Sequence, residues 1–210
     1  MAGSKRLIVG LGNPTPDYDG SRHNIGFAVV DLLAEKTRTT FDESGMIQKA
    51  LDRMKSTGLY MTASGRHRGR PVTLAKPLTF MNRSGKAVLR LKNRLGLDNQ
   101  DILVVVDDIY LDLGTLRVRS RGGSGGHNGL QDIIDCLESD NFPRIRIGVG
   151  STFSRGRQAR FVLAPFDNGE KALADEIVGV ACDAALTFVT EGIVPAMNRY
   201  NKRSRSGGPL

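Results

Sequence analysis

Two residues of this chain have the chemistry needed to activate water. His23 closes the segment GLGNPTPDYDGSRHN over residues 10–24, and Asp107 follows the apolar run ILVVV over 102–106. A neutral imidazole takes a proton near neutral pH, and a carboxylate on its other nitrogen fixes the tautomer and stabilises the imidazolium that forms. Amide side chains that both donate and accept stand nearby in the pattern, at Asn13, Asn82 and Asn128,. Other chemistries lack their residues. His23, His67 and His127 stand far apart in sequence and make no H-x-x-x-H pair, and Cys136 and Cys182 make no C-x-x-C pair, so no metal is expected,. A G-x-S-x-G serine elbow is absent as well,.

The same segment opens like a dinucleotide loop, and that reading fails on inspection. Gly10 and Gly12 fit the first two positions of G-x-G-x-x-G, but Thr15 takes the third, and Pro14 and Pro16 stand where a helix must start,. Proline has no N–H for a phosphate and disfavours helical backbone in the residue before it. No nucleotide cofactor is expected. A second glycine-rich stretch, GGSGGHNG over 122–129, lets backbone N–H groups approach a ligand closely,. There Asn128 either binds a ligand or caps the helix that follows, and His127 either acts or fills space. In KPLTFMNRSGKA, Phe80 and Met81 suit a core as readily as a cleft, and Asn82 or Ser84 suits a helix cap,.

Strands and helices must bring these loops together. Residues 7–11 and 102–106 read as buried strands, 59–64 and 71–75 as a hairpin around RHRGR, and 116–119 and 144–147 as short alternating strands,. Amphipathic helices are expected over 24–36, 84–95 (stopped by Gly96), 130–137 and 167–189, the last opened by an Asp167/Glu170 capping box,. Residues 41–56 are ambiguous. Strands alternating with helices predict one α/β domain over 1–200, with a twisted, mostly parallel (mixed) sheet covered by helices on both faces, followed by a flexible basic tail over 201–210. In such a sheet, ligands bind beyond the carboxyl ends of the strands, where both the His23 loop and Asp107 would emerge.

Composition narrows the setting. Hydrophobic residues at 40% and charged residues at 25% suit an ordinary globular protein rather than a disordered one,. The net charge of +8 fits either an anionic partner, most commonly nucleic acid, or a merely basic soluble protein,. The first apolar run is too short for a signal sequence or a membrane span, and the sparse cysteines fit a reduced, cytoplasmic protein with buried thiols.

Five motifs in order then carry a resemblance: GLGNP with Tyr18 and RHN, KPLTFMNRSGKA, VVVDD, GGSGGHNGLQDII and RIRIGVG. Together they resemble the bacterial-type peptidyl-tRNA hydrolase family, from about residue 7 to 166. The resemblance implies hydrolysis of the ester between a peptide and the 3′ ribose of tRNA, without metal or cofactor, by a monomer needing no obligate protein partner. His23 matches the family's catalytic histidine, Asp107 the carboxylate that orients it, and Asn13 the asparagine that separates blocked from free aminoacyl groups. Asn82 and Asn128 match residues holding substrate and water, and Tyr18, Phe80 and Met81 match the cleft lining. Arg119 and Arg146 match positions associated with tRNA phosphate. Thr15, Ser21, Asp108 and Ser151-Thr152 depart from the family pattern at loop edges. The alternative is a non-catalytic RNA-binding relative of the same fold, like a splicing factor.

Overall fold

The computed structural model describes residues 5–39, 58–154 and 156–201. The ambiguous stretch 41–56 and the basic tail beyond Asn201 lie outside the described residues. Among those described, the strands β1 (Arg6–Gly10), β2 (Tyr60–His67), β3 (Arg70–Pro77), β4 (Ile102–Asp108), β5 (Leu116–Arg119) and β6 (Arg144–Gly148) form one sheet in the order β2-β3-β1-β4-β6-β5. The inner pairs β3/β1, β1/β4 and β4/β6 run parallel, while the outer strands β2 and β5 run antiparallel to their neighbours. This is the mostly parallel, mixed sheet that the sequence predicts.

Both faces of the central strands are apolar because helices cover both. On β1 and β4, Ile8, Leu103 and Val105 enter one core with α1 (Ile25–Lys36), α5 (Asn168–Glu191) and α6 (Ile193–Tyr200). Leu7, Val9, Val104 and Val106 alternate into a second core under α2 (Ser84–Leu95) and α3 (Asn128–Leu137),. A short α4 (Gln158–Leu163), which the sequence reading does not anticipate, precedes α5. The Asp167/Glu170 capping box forms as expected. Asn201, assigned by sequence to the tail, belongs to the fold instead: its side-chain amide exchanges two hydrogen bonds with the Val118 backbone on β5. Of the two cysteines, Cys182 is buried, its thiol donating to the Val29 carbonyl, whereas Cys136 is only half-buried. Among the described residues, no helix is long and apolar enough to cross a membrane.

The glycines that imitate a nucleotide loop serve packing. A side chain on Gly10 would collide with the Gly26 carbonyl and Val30 of α1. One on Gly26 would stand 2.5 Å from the carbonyl oxygens of Leu11 and Val105. Missing Cβ atoms on both sides let the start of α1 sit directly on the ends of β1 and β4. His23 is three residues before Gly26, in a 3-10 turn over Arg22–Asn24.

Candidate active site

Strands β1 and β4 are parallel neighbours, so their carboxyl ends open at one edge of the sheet. There His23 Nδ1 lies 2.8 Å from Asp107 Oδ1. Both side chains are largely shielded, at 12% and 3% exposure. Burial alone would raise the Asp107 pKa, but His127 first and His23 second outweigh it and hold the carboxyl well below the usual carboxylate range. An ionised carboxylate only accepts, so Nδ1 of His23 carries the proton and Nε2 is the free, basic nitrogen.

His127 is the partner that sequence reasoning missed. Its Nε2 lies 3.0 Å from the same Asp107 oxygen, and its ring centroid is 5.1 Å from that of His23. Its Nδ1 accepts from the backbone N–H groups of Gly129 and Leu130, at 3.1 and 3.2 Å. His127 is therefore the N-cap of α3, the role the sequence reading offered to Asn128, which is the first helical residue. An imidazole is read poorly as a cap from sequence because Ser, Thr, Asp and Asn dominate that position. The cap fixes the tautomer: Nδ1 is an acceptor, so Nε2 holds the proton and donates it to Asp107.

That geometry also corrects the argument about metals. The histidines are distant in sequence, yet His23, Asp107 and His127 present ligand atoms within 4.8 Å of one another. Spacing alone would suit a metal ion. The hydrogen bonds argue otherwise, because the proton on His127 Nε2 leaves that nitrogen no lone pair while its Nδ1 caps the helix,.

Asn13 is buried and tied on three sides. Its backbone N–H donates to Asn24 Oδ1 (2.8 Å), its carbonyl accepts from Asn24 Nδ2 (3.0 Å), and its own Oδ1 accepts from the Met81 N–H (3.0 Å). The last bond assigns the amide: Oδ1 is engaged, and Nδ2 is the group left to meet a substrate. Neighbouring Arg22 is pinned in turn, donating to the Pro165 carbonyl (2.6 Å) and pairing with Glu170 (2.5 Å), with its guanidinium over the Phe161 ring. Neither Asn82 nor Ser84 caps α2. Ser84 Oγ donates to the Met81 carbonyl, and the cap comes from Asp132 of α3, which accepts from Gly85 N–H at 2.6 Å.

His23, Asp107, His127 and Asn13 line a cleft of about 800 Å³ that also takes in Tyr18, Phe80, Met81, Asn82, Asn128 and Arg146. Phe80 is 53% exposed, while Met81 is buried beneath it. None of the described lining residues is Ser, Thr, Cys or Lys. Arg119 is not among them; it ends the edge strand β5 with its side chain exposed outside the cleft. The two arginines of β6 share a face, as their spacing predicts, but divide in role. Arg144 is 1% exposed and donates to the carbonyls of Gly122, Gly123, Asp140 and Phe142, bracing the glycine-rich loop. Arg146 reaches the cleft.

Fold and cleft together define a class: an α/β protein whose sheet edge carries a histidine–carboxylate pair without a side-chain nucleophile beside it, the makings of a hydrolase. The family model described as peptidyl-tRNA hydrolase matches residues 7–207. The chain is 40% identical over 196 residues to a peptidyl-tRNA hydrolase of Prosthecochloris aestuarii, covering 93% of this chain and 96% of that one. It is 39% identical over 195 residues to one from Clostridium botulinum, with the same coverage. A crystal structure of peptidyl-tRNA hydrolase from Acinetobacter baumannii superposes with a TM-score of 0.81 at 35% identity, covering 93% of this chain and 94% of that one. The chain belongs to the peptidyl-tRNA hydrolase family.

Proposed function

We propose that this member of the family cleaves the ester between peptide and tRNA 3′ ribose with a water activated by His23. The observation that carries the reading is the 2.8 Å contact between His23 Nδ1 and ionised Asp107, which leaves Nε2 free in the cleft. Water attacks the ester carbonyl as Nε2 takes its proton. The carbonyl electrons collect on an oxyanion, which an asparagine amide of the cleft or a backbone N–H of the glycine-rich loop stabilises. When the tetrahedral intermediate collapses, the ribose oxygen leaves and receives the proton from His23. A general base contributes about 10²- to 10⁴-fold, enough for an ester with a good carbonyl electrophile.

The orientation of Asn13 bears on selectivity. A donor reads a carbonyl, and an N-blocked substrate offers one more carbonyl near its α-nitrogen than a free aminoacyl group does. The free substrate brings an ammonium there instead, which has donors only and meets Nδ2 unfavourably. Tyr18, Phe80 and Met81 supply the apolar wall for the terminal nucleoside and peptide, Asn82 and Asn128 hold substrate and water, and Arg146 and Arg119 hold tRNA phosphate. Phosphate contacts position RNA without reading its sequence, which suits an enzyme acting on many tRNAs. On this reading the protein acts as a cytoplasmic monomer on free peptidyl-tRNA. In a gel assay of N-blocked aminoacyl-tRNA, His23→Ala is expected to keep its circular dichroism spectrum and lose hydrolysis. Turnover at the wild-type rate by that variant would remove His23 from the mechanism.

A further inference from the structure

Asp108 follows the dyad carboxylate directly and is equally buried, at 5% exposure, whereas both imidazoles bond to Asp107. Because β4 alternates, its side chain leaves the opposite face of the strand from that of Asp107. Both of its oxygens are engaged. Oδ1 accepts from the Tyr110 N–H at 2.9 Å, and Oδ2 stands 2.8 Å from Nε of Arg146 on the adjacent strand β6. The Arg146 N–H is not aimed along that line, so the contact is an ion pair rather than an aligned hydrogen bond. From the other side, the guanidinium lies against Gly125: a Cβ there would stand 2.5 Å from Nη2, and the backbone has φ +60. The arginine thus has beside its Nε a carboxylate anchored by the Tyr110 N–H, and at its Nη edge a glycine that leaves it room.

We infer that Asp108 is a positioning residue, which fixes the Arg146 fork at the cleft so that it meets a phosphate of the bound RNA. The inference rests on the reading that Arg146 holds RNA and is independent of the part played by His23. A carboxylate beside an RNA site is unfavourable by charge alone, since it repels phosphate. Its presence makes sense if orienting the fork contributes more than the repulsion takes away. The two effects have opposite signs, and that makes the idea testable.

The measurement is equilibrium binding of deacylated tRNA at several salt concentrations, which requires no turnover. Arg146→Ala is expected to weaken binding and to lower the slope of log affinity against log salt by about one. Asp108→Asn is expected to weaken binding in the same direction, and to add nothing in an Arg146→Ala background. Arg146→Lys keeps the charge but has no Nε for Asp108 to hold, and it is expected to lose most of what Arg146→Ala loses. This lysine variant carries the test if Asp108→Asn melts early. Tighter tRNA binding by Asp108→Asn would make Asp108 a mere repulsive charge and overturn the inference. Additive losses in the double variant, or wild-type affinity in Arg146→Lys, would overturn it too. If hydrolysis fails to depend on His23 while these binding results hold, the proposed mechanism falls and the positioning role stands.

Discussion

Replacing Asp107 with asparagine removes one charge and almost no volume. The carboxylate oxygen sits 2.8 Å from His23 Nδ1 and 3.0 Å from His127 Nε2, and an amide oxygen in its place can still accept from either ring. What is lost is the attraction between the anion and the imidazolium that forms as His23 takes the proton. For opposite charges about 4 Å apart at an effective dielectric of about 20, that attraction is about 4 kcal/mol. The neutral hydrogen bond that survives retains about 1 kcal/mol. The remaining loss of about 3 kcal/mol corresponds to a fall in kcat/KM of about 10²-fold, at about 1.4 kcal/mol per decade. Steady-state hydrolysis of N-blocked aminoacyl-tRNA reads it, with urea melts to certify the fold. The effects should not add: Asp107→Asn in a His23→Ala background should cost nothing more. A folded Asp107→Asn variant that loses less than tenfold would refute the reasoning. The stability of the same pair has a defined pH dependence. The folded pKa of Asp107 is depressed from 3.8, so its contribution is present above that value and is lost as pH falls below it,. The part of the stability gap between wild type and Asp107→Asn that comes from this carboxylate should therefore shrink as pH falls below about 4.

Two further substitutions test the scaffold. Arg144→Ala strips partners from the carbonyls of Gly122, Gly123, Asp140 and Phe142, and should cost on the order of 3 kcal/mol in urea unfolding,; a loss below about 1 kcal/mol would show that water replaces the guanidinium freely. Gly26→Ala should gain up to about 1 kcal/mol of helix propensity but lose about 1–3 kcal/mol to overpacking against Leu11 and Val105, lowering both melting temperature and turnover,. A stabilised, fully active Gly26→Ala enzyme would mean that α1 shifts without carrying His23 along.

Much of this architecture is written in local pattern. The continuous apolar runs of β1 and β4 can be buried only between two helical layers, and Gly96 and the Asp167/Glu170 box end and begin helices by known backbone chemistry,. Parallel neighbours then place His23 and Asp107 on one edge, which is why that pair was legible. The arrangement of partners was not. Helix caps can come from another element, as Asp132 does for α2, or from an unusual residue, as His127 does for α3. Neither leaves a mark at the position where a cap is sought. Arg144 and Arg146 share a face and a spacing, and only their partners, the carbonyls of Gly122 and Gly123 for the first and Asp108 at the cleft for the second, separate a structural clamp from a group in the cleft. Gly10 and Gly12 imitate a phosphate loop for a related reason: a glycine needed for helix–strand contact looks the same in sequence as one needed for phosphate, and only Thr15 and the two prolines tell them apart.

One oxygen of Asp107 accepting from two imidazoles raises the question of which ring is the base. The helix answers it. Protonating His127 at Nδ1 would break two bonds to backbone N–H groups and place a cation at the positive end of α3,. Its Nε2 is already protonated and directed at Asp107. His127 thus has no nitrogen to offer a water, although it is the more tightly bound to the scaffold. His23 sits in a single 3-10 turn and bonds to Asp107 through Nδ1, so its second nitrogen is the one left for the cleft. Local backbone donors therefore decide the division of labour between two rings of the same type, with one held as a fixed donor to the carboxylate and the other left to move a proton.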